Sequence, residues 1–460
     1  MKMENLTENC YNELVHYNID NKLEISLNIN ENKCKIPVSK LFTMSARENK
    51  KRDFLFVSKV IGKHLPIIPH TLNIIGAILA RLWVNEREGS DNYPTNELVD
   101  ILVSLDVSLN MSNLDLRSEE IILKNHNISV NISRANDILK KPIKLKNKTL
   151  FIGFAETATG LAQAVFQNFS NASYIHTTRE KITTIKPALL FNEEHSHAVE
   201  HSLFPYENDF FNNFEDIVLI DDELTTGKSA LNLIRSLPGK YFGILSILDW
   251  RDASSYKMFK DEKNIDVRVC SLLKGHIKCN KSNDIISDAI TVPPISTKLI
   301  TFKQHVFEIA ECIEGYNKST GRFGLSSEDN SKIFEEIKSI SEVLIKERTE
   351  GNCLCIGTGE FIYLPCSISA FLGDNVYFHS TTRSPVHARN IGRYGNKNKI
   401  AFQSPEDETI TNYLYNIPDN FYDQVFFFSE KPLTKEKKEQ FNRIFSHFHV
   451  KSIIFVCWEG

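Results

Sequence analysis

The sequence predicts an α/β protein in which a parallel-sheet domain is followed by a degenerate second copy of the same fold. Two observations support this prediction. From residue 149 onward, short apolar runs alternate with helical patterns, which is typical of buried parallel strands joined through helices. The second half of the chain then repeats the first at nearly constant offsets. The length of 460 residues is enough for two or three domains.

Composition and charge exclude several classes of protein. The net charge of −4 provides no basic field, so nucleic acid is not expected as a partner. No apolar run approaches the roughly 18 residues of a membrane span, and the N-terminus lacks the pattern of a signal peptide. The nine cysteines include no C-x-x-C pair, so we expect reduced thiols and a cytoplasmic protein.

The N-terminal region is predicted to carry a strand at 23–30 and a helix at 73–87, whereas residues 105–148 are polar with short strand-like pieces. Between the strand and the helix lies a block rich in basic residues, which we call the basic block (residues 47–64). It either contributes phosphate-binding side chains to a site elsewhere or forms a solvated basic face.

The regular α/β pattern begins with the next segment. Strands are predicted at 150–154, 173–176, 217–220, 242–248 and 265–270, with helices at 160–168 and 229–237. After a linker zone, two further helices are predicted at 303–316 and 330–347, before strands and helices alternate again.

An internal repeat relates the two halves. A shift of 204 residues places Glu156 on Glu360 and the Thr-Thr-Arg run at 177–179 on the same run at 381–383. A shift of 208 places the strand at 217–220 on another apolar run. Any two α/β halves share apolar strands, but the matched glutamate and Thr-Thr-Arg run favour a duplication.

The most specific segment, IVLIDDELTTGKS, occupies residues 217–229. A buried strand ends in two acids whose oxygens can accept hydrogen bonds from vicinal ribose hydroxyls. The hydroxyls, glycine and backbone N–H groups that follow suit a monophosphate. The alternative is an ordinary strand–loop–helix turn. We call residues 221–229 the phosphate loop; its predicted ligand-binding residues are Asp221, Asp222, Leu224, Thr225, Thr226, Gly227, Lys228 and Ser229.

This segment resembles the 5-phosphoribosyl-1-pyrophosphate (PRPP) loop of type I phosphoribosyltransferases. It departs from their pattern at Glu223, where an apolar residue is usual. That third carboxylate either contacts Mg²⁺ or the nucleobase side, or faces solvent. The resemblance implies transfer of ribose 5-phosphate from PRPP to a nucleobase-like acceptor with release of pyrophosphate. It also implies Mg²⁺ bound through PRPP, Asp221 and Asp222.

Two more segments resemble that family. The first is similar to the pyrophosphate loop of orotate-type members, and we call it the pyrophosphate turn: Ala155, Glu156, Thr157, Ala158, Thr159 and Gly160. The second contains Thr178 and Arg179, where the resemblance implies a contact with pyrophosphate. The alternative for Arg179 is a surface ion pair.

Residues 180–200 correspond to the flexible catalytic loop of that family. Glu194, His195 and His197 lie in it, with His201 nearby. Three interpretations stay open: a metal site, acid–base or substrate hydrogen bonding, and a solvated loop.

The chain as a whole resembles a narrower family, the orotate-phosphoribosyltransferase-like proteins of tellurite-resistance (Ter) stress operons with a C-terminal TRSP domain. The motif Thr382-Arg383-Ser384-Pro385 is present, and residues 52–64 and 320–324 also match. The resemblance implies a stress-linked role in making a nucleotide or nucleoside-like metabolite, with other Ter-operon enzymes as partners. The implied domains are an N-terminal hood (1–140), a phosphoribosyltransferase domain (141–285) and a TRSP domain (300–460).

The second copy departs from the first at the phosphate loop. The two acids become Ser429 and Glu430, and Gly227 becomes Lys435, so we expect PRPP binding to be lost there. A candidate second anion site consists of Thr382, Arg383 and Ser384. The alternative is a structural pseudo-domain.

The rival function is a non-catalytic PRPP- or nucleotide-binding regulator or scaffold. A sensor needs the phosphate loop but neither Arg179 nor the histidine-rich loop. Their presence favours an enzyme.

Overall fold

The structure of the chain is a computed structural model. It describes residues 11–48, 52–105, 118–192, 200–207, 209–262, 265–283, 285, 300–309 and 311–460. We call residues 11–285 the first half and residues 300–460 the second half.

The first half contains eleven strands and seven α-helices among its described residues. The strands are β1 (Glu13–Ile19), β2 (Leu23–Asn32), β3 (Phe42–Ala46), β4 (Phe54–Ser58), β5 (Ile143–Gly153), β6 (Phe169–His176), β7 (Leu189–Asn192), β8 (Glu200–Leu203), β9 (Asp216–Leu224), β10 (Tyr241–Asp249) and β11 (Asp266–Lys281). The helices are α1 (Val38–Leu41), α2 (His70–Glu88), α3 (Asn96–Ser104), α4 (Ser118–Leu139), α5 (Ala158–Phe166), α6 (Lys228–Ile234) and α7 (Ala253–Lys260).

The second half continues with ten strands and three α-helices in its described part. The strands are β12 (Thr301–Glu308), β13 (Cys312–Ile313), β14 (Tyr316–Asn317), β15 (Leu325–Ser326), β16 (Cys353–Gly357), β17 (Val376–Ser380), β18 (Lys399–Gln403), β19 (Thr411–Tyr415), β20 (Gln424–Ser429) and β21 (Ser452–Glu459). The helices are α8 (Asp329–Leu344), α9 (Tyr363–Ser369) and α10 (Lys435–His447).

The main sheet has eight strands in the order β1-β2-β11-β10-β9-β5-β6-β15. Its five central strands are parallel, and the remaining three pair antiparallel at the two edges. Strand side chains alternate between the faces: Phe151 and Val218 pack in the core that contains α2 and α5, whereas Ile152 and Leu219 pack with α6. Both faces are therefore covered, which explains the continuous apolar runs.

The strand order reverses between β5 and β9. The helix after β5 lies on one face of the sheet, and the helix after β9 lies on the other. In such sheets a crevice opens between the carboxyl ends of the two strands where the order reverses, and ligands bind there. The topology thus brings the residues that follow β5 and β9 together.

The second sheet has five strands, all parallel, in the order β12-β21-β20-β16-β17. The run β17-β16-β20-β21 has the same order along the chain as β6-β5-β9-β10 in the first sheet. A local contact repeats as well: the Ala155 N–H donates to Thr177 Oγ1 at 2.8 Å, and the Gly359 N–H donates to Thr381 Oγ1 at 2.9 Å.

The predicted strands and helices of the first α/β region are present, with shifted ends. The predicted helix at 303–316 is wrong, because this segment forms β12, β13 and β14. β12 pairs with β21 along its whole length, and this long-range pairing outweighs the local helical pattern. Residues 105–148 also differ from the strand-like prediction, since α4 occupies 118–139.

The N-terminal region packs into both halves. β1 and β2 extend the main sheet through β11, and α2 packs on α5, so the predicted boundary at residue 140 separates elements in mutual contact. The β3–β4 hairpin reaches the second half: Thr43 Oγ1 donates to the Arg393 carbonyl at 2.7 Å, and Ser45 Oγ donates to Asn396 Oδ1 at 2.8 Å.

Within the described residues, none of the helices has the length and apolar character needed to cross a membrane. The eight cysteines described are free thiols.

Candidate functional site

The first four residues of the phosphate loop, 221–224, belong to β9, which continues to Leu224 instead of ending before the two acids as predicted. Asp221 and Asp222 are half-buried there, and the Asp222 N–H donates to Asp221 Oδ1 at 2.9 Å. Burial raises the pKa of Asp222; the hydrogen bond with Asp221 lowers it, and the charge of Glu223 raises it again. Two adjacent carboxylates in this setting gain from a cation or from hydroxyl donors.

The rest of the phosphate loop is shaped by packing. Gly227 has φ +74°, and a Cβ at this position would lie 2.5 Å from Phe259 Cζ, so a glycine is required. Leu224 is buried and anchors the loop in the core. Thr225, Thr226 and Ser229 are half-buried, and α6 begins at Lys228, one residue earlier than predicted. The loop therefore presents hydroxyls and backbone N–H groups at the crevice.

Glu223 does not face solvent. The Arg52 guanidinium donates to both of its oxygens, from NH1 at 2.9 Å and from NH2 at 2.5 Å. Arg52 also lies over the Phe54 ring, 4.5 Å from its centroid. The residue that departs from the resembled pattern thus anchors the basic block on the phosphate loop.

The pyrophosphate turn follows β5 and is shorter than predicted, because Ala158, Thr159 and Gly160 belong to α5. A Cβ on Gly160 would lie 2.5 Å from Ile362 Cγ2, so this glycine serves the contact with the second half. Ala155, Glu156 and Thr157 remain in the turn, and the Ala155–Glu156 peptide is cis.

Lys63 connects the two loops. Its Nζ donates to Glu156 Oε1 at 2.5 Å, and both side chains are buried. Burial raises the pKa of Glu156, but the charges of Lys63, Arg383 and Arg179 bring that pKa below its ordinary value. The charge of Lys63 also lowers the pKa of Asp222. One ammonium group therefore acts on carboxylates of both loops.

Arg179 is oriented by a buried histidine. Its Nε donates to His201 Nε2 at 3.1 Å. Because a guanidinium only donates, His201 carries its proton on Nδ1, which lies 3.1 Å from Thr177 Oγ1. Thr177 Oγ1 in turn accepts from the Ala155 N–H. His201 thus links Arg179 to the pyrophosphate turn, and no sequence signal separated it from the other histidines of the loop.

Glu360, from the second half, contacts the same segment. Its carboxylate accepts from Thr178 Oγ1 at 2.6 Å and from the Arg179 N–H at 2.8 Å. Glu360 and Thr178 are buried, whereas Arg179 is half-buried. The Thr-Thr-Arg run is therefore held from both halves.

Glu194, His195 and His197 lie outside the described residues. In the described part of the chain, no group of three or more His, Cys, Asp or Glu side chains is arranged to hold a metal ion. Any divalent cation at the crevice would depend on one or two carboxylates and on oxygens of a ligand, which is how Mg²⁺ commonly binds.

The corresponding positions of the second half are filled by the chain itself. Glu430 accepts from Arg322 NH1 at 2.7 and 2.9 Å, and Arg322 is 1% exposed. In the predicted second anion site, Thr382 Oγ1 accepts from the Ser384 N–H at 3.1 Å, and Arg383 is half-buried.

A doubly wound parallel sheet, with an acidic Thr-Thr-Gly loop at its reversal point and an arginine at the next turn, defines a phosphoribosyltransferase-type site. The family model described as phosphoribosyl transferase (PRTase_2) matches residues 41–276. The chain belongs to this family, which confirms the predicted enzyme class at the family level. The matched region begins 100 residues before the predicted domain and includes the whole basic block.

A second family model, the TRSP domain C-terminal to PRTase_2, matches residues 319–445 and confirms the predicted TRSP domain. No curated protein matches the chain.

Solved structures of adenine and hypoxanthine phosphoribosyltransferases show a distant likeness. The adenine enzyme of Trypanosoma brucei, in complex with AMP, pyrophosphate and ribose-5-phosphate, is 16% identical to this chain. The match covers 34% of this chain and 65% of that enzyme, with a TM-score of 0.21. The Leishmania donovani adenine enzyme is 13% identical; the match covers 33% of this chain and 68% of that enzyme, with a TM-score of 0.21. The Staphylococcus aureus hypoxanthine enzyme is 14% identical; the match covers 35% of this chain and 82% of that enzyme, with a TM-score of 0.17. At these TM-scores the likenesses carry no weight beside the family match.

Proposed function

We propose that the protein transfers ribose 5-phosphate from PRPP to a nucleobase-like acceptor and releases pyrophosphate. The observation that carries this proposal is the meeting of two loops at the crevice between β5 and β9. The phosphate loop lies at the end of β9, and the pyrophosphate turn follows the adjacent β5. Lys63 donates to Glu156, and its charge lowers the pKa of Asp222.

The phosphate loop binds the sugar end of PRPP in this proposal. Asp221 and Asp222 accept hydrogen bonds from the two ribose hydroxyls. Residues 225–229 offer hydroxyls and backbone N–H groups to the 5-phosphate, and the positive φ of Gly227 opens the loop toward it. The buried Leu224 keeps the loop in place.

The pyrophosphate end lies at the turn after β5. As the bond to C1 breaks, negative charge accumulates on the leaving pyrophosphate, and donors fixed beforehand stabilise it. The backbone of Ala155 to Thr157 and the guanidinium of Arg179 are in place for this role. His201 holds that guanidinium, so little reorganisation is needed during the reaction.

The carboxylates of the site fit Mg²⁺, because burial and the charge of Glu223 raise the pKa of Asp222 and a divalent cation relieves this repulsion. Asp221 and Asp222 would hold the ion together with PRPP oxygens, and the ion would supply charge neutralisation for the leaving group. The assignment of Glu194, His195 and His197 to a catalytic loop rests on the sequence alone.

The second half, in this proposal, is a degenerate copy that keeps the sheet and has lost PRPP binding. The shared strand order supports this proposal. So do the hydrogen bond from Arg322 to Glu430 and the presence of Lys435 at the position that corresponds to Gly227. The second anion site at Thr382–Ser384, the three-domain division, the Ter stress link and the cytoplasmic location rest on the sequence alone.

The test is calorimetric titration of PRPP with Mg²⁺ into the wild type and into Asp221→Asn/Asp222→Asn. We expect one site per chain in the wild type and none in the variant, with the circular dichroism unchanged. Nucleobases are then screened for pyrophosphate release. Absence of PRPP binding in the wild type would overturn the proposal.

A further inference from the structure

One set of contacts between the halves lies at the pyrophosphate end of the crevice. Glu360 accepts two hydrogen bonds from the Thr-Thr-Arg run, and Thr159 Oγ1 donates to the Glu360 carbonyl at 2.9 Å. Both the side chain and the backbone of one second-half residue therefore meet the segments that carry the proposed leaving-group site.

Glu360 is held by a buried guanidinium. Arg322 NH2 lies 3.8 Å from Glu360 Oε2 and 3.3 Å from Glu180 Oε1. Arg322 also donates to Glu430, so it connects Glu360 to the loop position that is degenerate in the second half. Because the guanidinium is planar and 1% exposed, it holds its carboxylate partners in a fixed geometry.

Arg383, in the TRSP motif, acts on the same end through its charge. Ser380, the last residue of β17 and three residues before Arg383, donates its N–H to the Gly62 carbonyl at 2.7 Å. Gly62 is next to Lys63, whose Nζ contacts Glu156. The charge of Arg383 acts on Glu156 together with those of Lys63 and Arg179. Within the described residues Arg383 forms neither a hydrogen bond nor an ion pair, so its donors are free for a ligand.

We propose that the pyrophosphate end of the site is composite: Glu360 is a positioning residue for Arg179, and Arg383 is a second phosphate-binding residue supplied by the TRSP half. This inference rests on the proposed function and deepens it. It gives the TRSP half a task in the first site, in place of a separate anion site of its own.

The two ends of the site allow a sharp test, because ribose 5-phosphate probes the phosphate loop and pyrophosphate probes the composite end. We expect Glu360→Gln to weaken pyrophosphate binding about 10- to 100-fold, since an amide oxygen cannot accept both hydrogen bonds as the carboxylate does. Arg383→Ala is expected to act similarly. Both variants should bind ribose 5-phosphate as the wild type does.

Matched controls are Glu350→Gln and Arg393→Ala, which remove the same charges at exposed positions of the same half. Both should bind the two probes normally. If Glu360→Gln does not fold, Glu360→Asp keeps the charge that Arg322 requires and shortens the reach by one methylene. A cycle with Arg179→Ala adds a second readout: Glu360→Gln should have little further effect once Arg179 is removed.

The outcomes separate the two proposals. A wild type that binds neither PRPP nor pyrophosphate overturns the proposed function. In that case, hydrogen exchange at the Arg179 amide still tests the role of Glu360. If this amide exchanges no faster in Glu360→Gln than in the wild type, the positioning role of Glu360 is overturned. The composite site is overturned if the wild type binds both probes and the variants bind pyrophosphate as tightly as the wild type does. It is also overturned if the variants lose affinity for both probes equally. In either case the proposed function still stands.

Discussion

The phosphate loop after β9 and the equivalent segment after β20 start from the same architecture and end with opposite chemistry. In the first half, two half-buried carboxylates face a crevice, and Gly227 leaves room in the loop. In the second half, the equivalent acid Glu430 is buried against Arg322, and Lys435 replaces the glycine at the start of α10. The first segment is open to a ligand, whereas the second is closed by the chain itself.

Under the proposed duplication, the sheet is kept while the site is converted. Removing a ligand from an acidic loop leaves a carboxylate that is costly to bury, and a guanidinium from the same chain satisfies it. The ion cluster around Arg322 then contacts Glu180 and Glu360, next to the proposed active site. Under the same proposal, the segment that no longer binds PRPP supports the proposed active site of the first half.

The largest effect is expected from exchanging the residue that distinguishes the two loops. Gly227→Lys introduces a Cβ that would lie 2.5 Å from Phe259 and a side chain in the loop at positive φ. We expect PRPP binding to fall below detection by calorimetry. Thermal unfolding should show a loss of about 1–3 kcal/mol for the strain and overpacking.

The reciprocal change is the control. Lys435→Gly alters an exposed helix start and should cost at most about 1 kcal/mol, with PRPP stoichiometry still one per chain. A second site appearing in Lys435→Gly, or normal binding by Gly227→Lys, would show that this position does not explain the contrast.

Much of the first loop could be predicted because its signals are local. The run IVLIDDELTTGKS encodes its buried strand and glycine turn within thirteen residues. Strand β9 and helix α6 are present, although β9 continues through the two acids to Leu224 and α6 begins one residue earlier than predicted. Strand β12 could not be predicted in the same way. Its edge position next to β21 depends on residues 151 positions later in the chain.

The residues that complete the site were outside the reach of local patterns. Lys63, His201 and Glu360 act through contacts that span 93, 22 and 181 residues, respectively. The Glu156–Glu360 match in the repeat was visible, but it carried no information that Glu360 faces Arg179. The function of Glu223 was equally hidden, since its partner Arg52 lies 171 residues away.

The next effect, on stability and not on PRPP binding, is expected at the centre of the closed segment. Arg322→Ala leaves Glu180, Glu360 and Glu430 without their shared cation, and breaking a buried ion pair in this way costs about 3–5 kcal/mol. Urea unfolding measures the change. The control is Arg443→Ala, which breaks a half-exposed ion pair on α10 and should change the free energy of unfolding by less than about 1 kcal/mol. An equally small effect of Arg322→Ala would mean that the cluster does not hold the second segment closed.

The smallest effect is a pH dependence confined to the closed segment. Burial, partly offset by Arg322 and reinforced by the charge of Glu180, raises the pKa of Glu430 from 4.5 to about 7. The groups that act on it are Arg322, Glu180 and Lys431, and Tyr316 lies beside them. Between these two pKa values the folded protein keeps a proton that the unfolded chain has released. The stability that this group contributes therefore falls as pH rises from 4.5 to about 7, by about 3 kcal/mol at most, and is constant above that.

Urea unfolding at pH 5, 6 and 7.5 should show this slope in the wild type and in Glu350→Gln, but not in Glu430→Gln. An identical slope in Glu430→Gln would assign the titration to another group and remove the electrostatic contrast between the two loops.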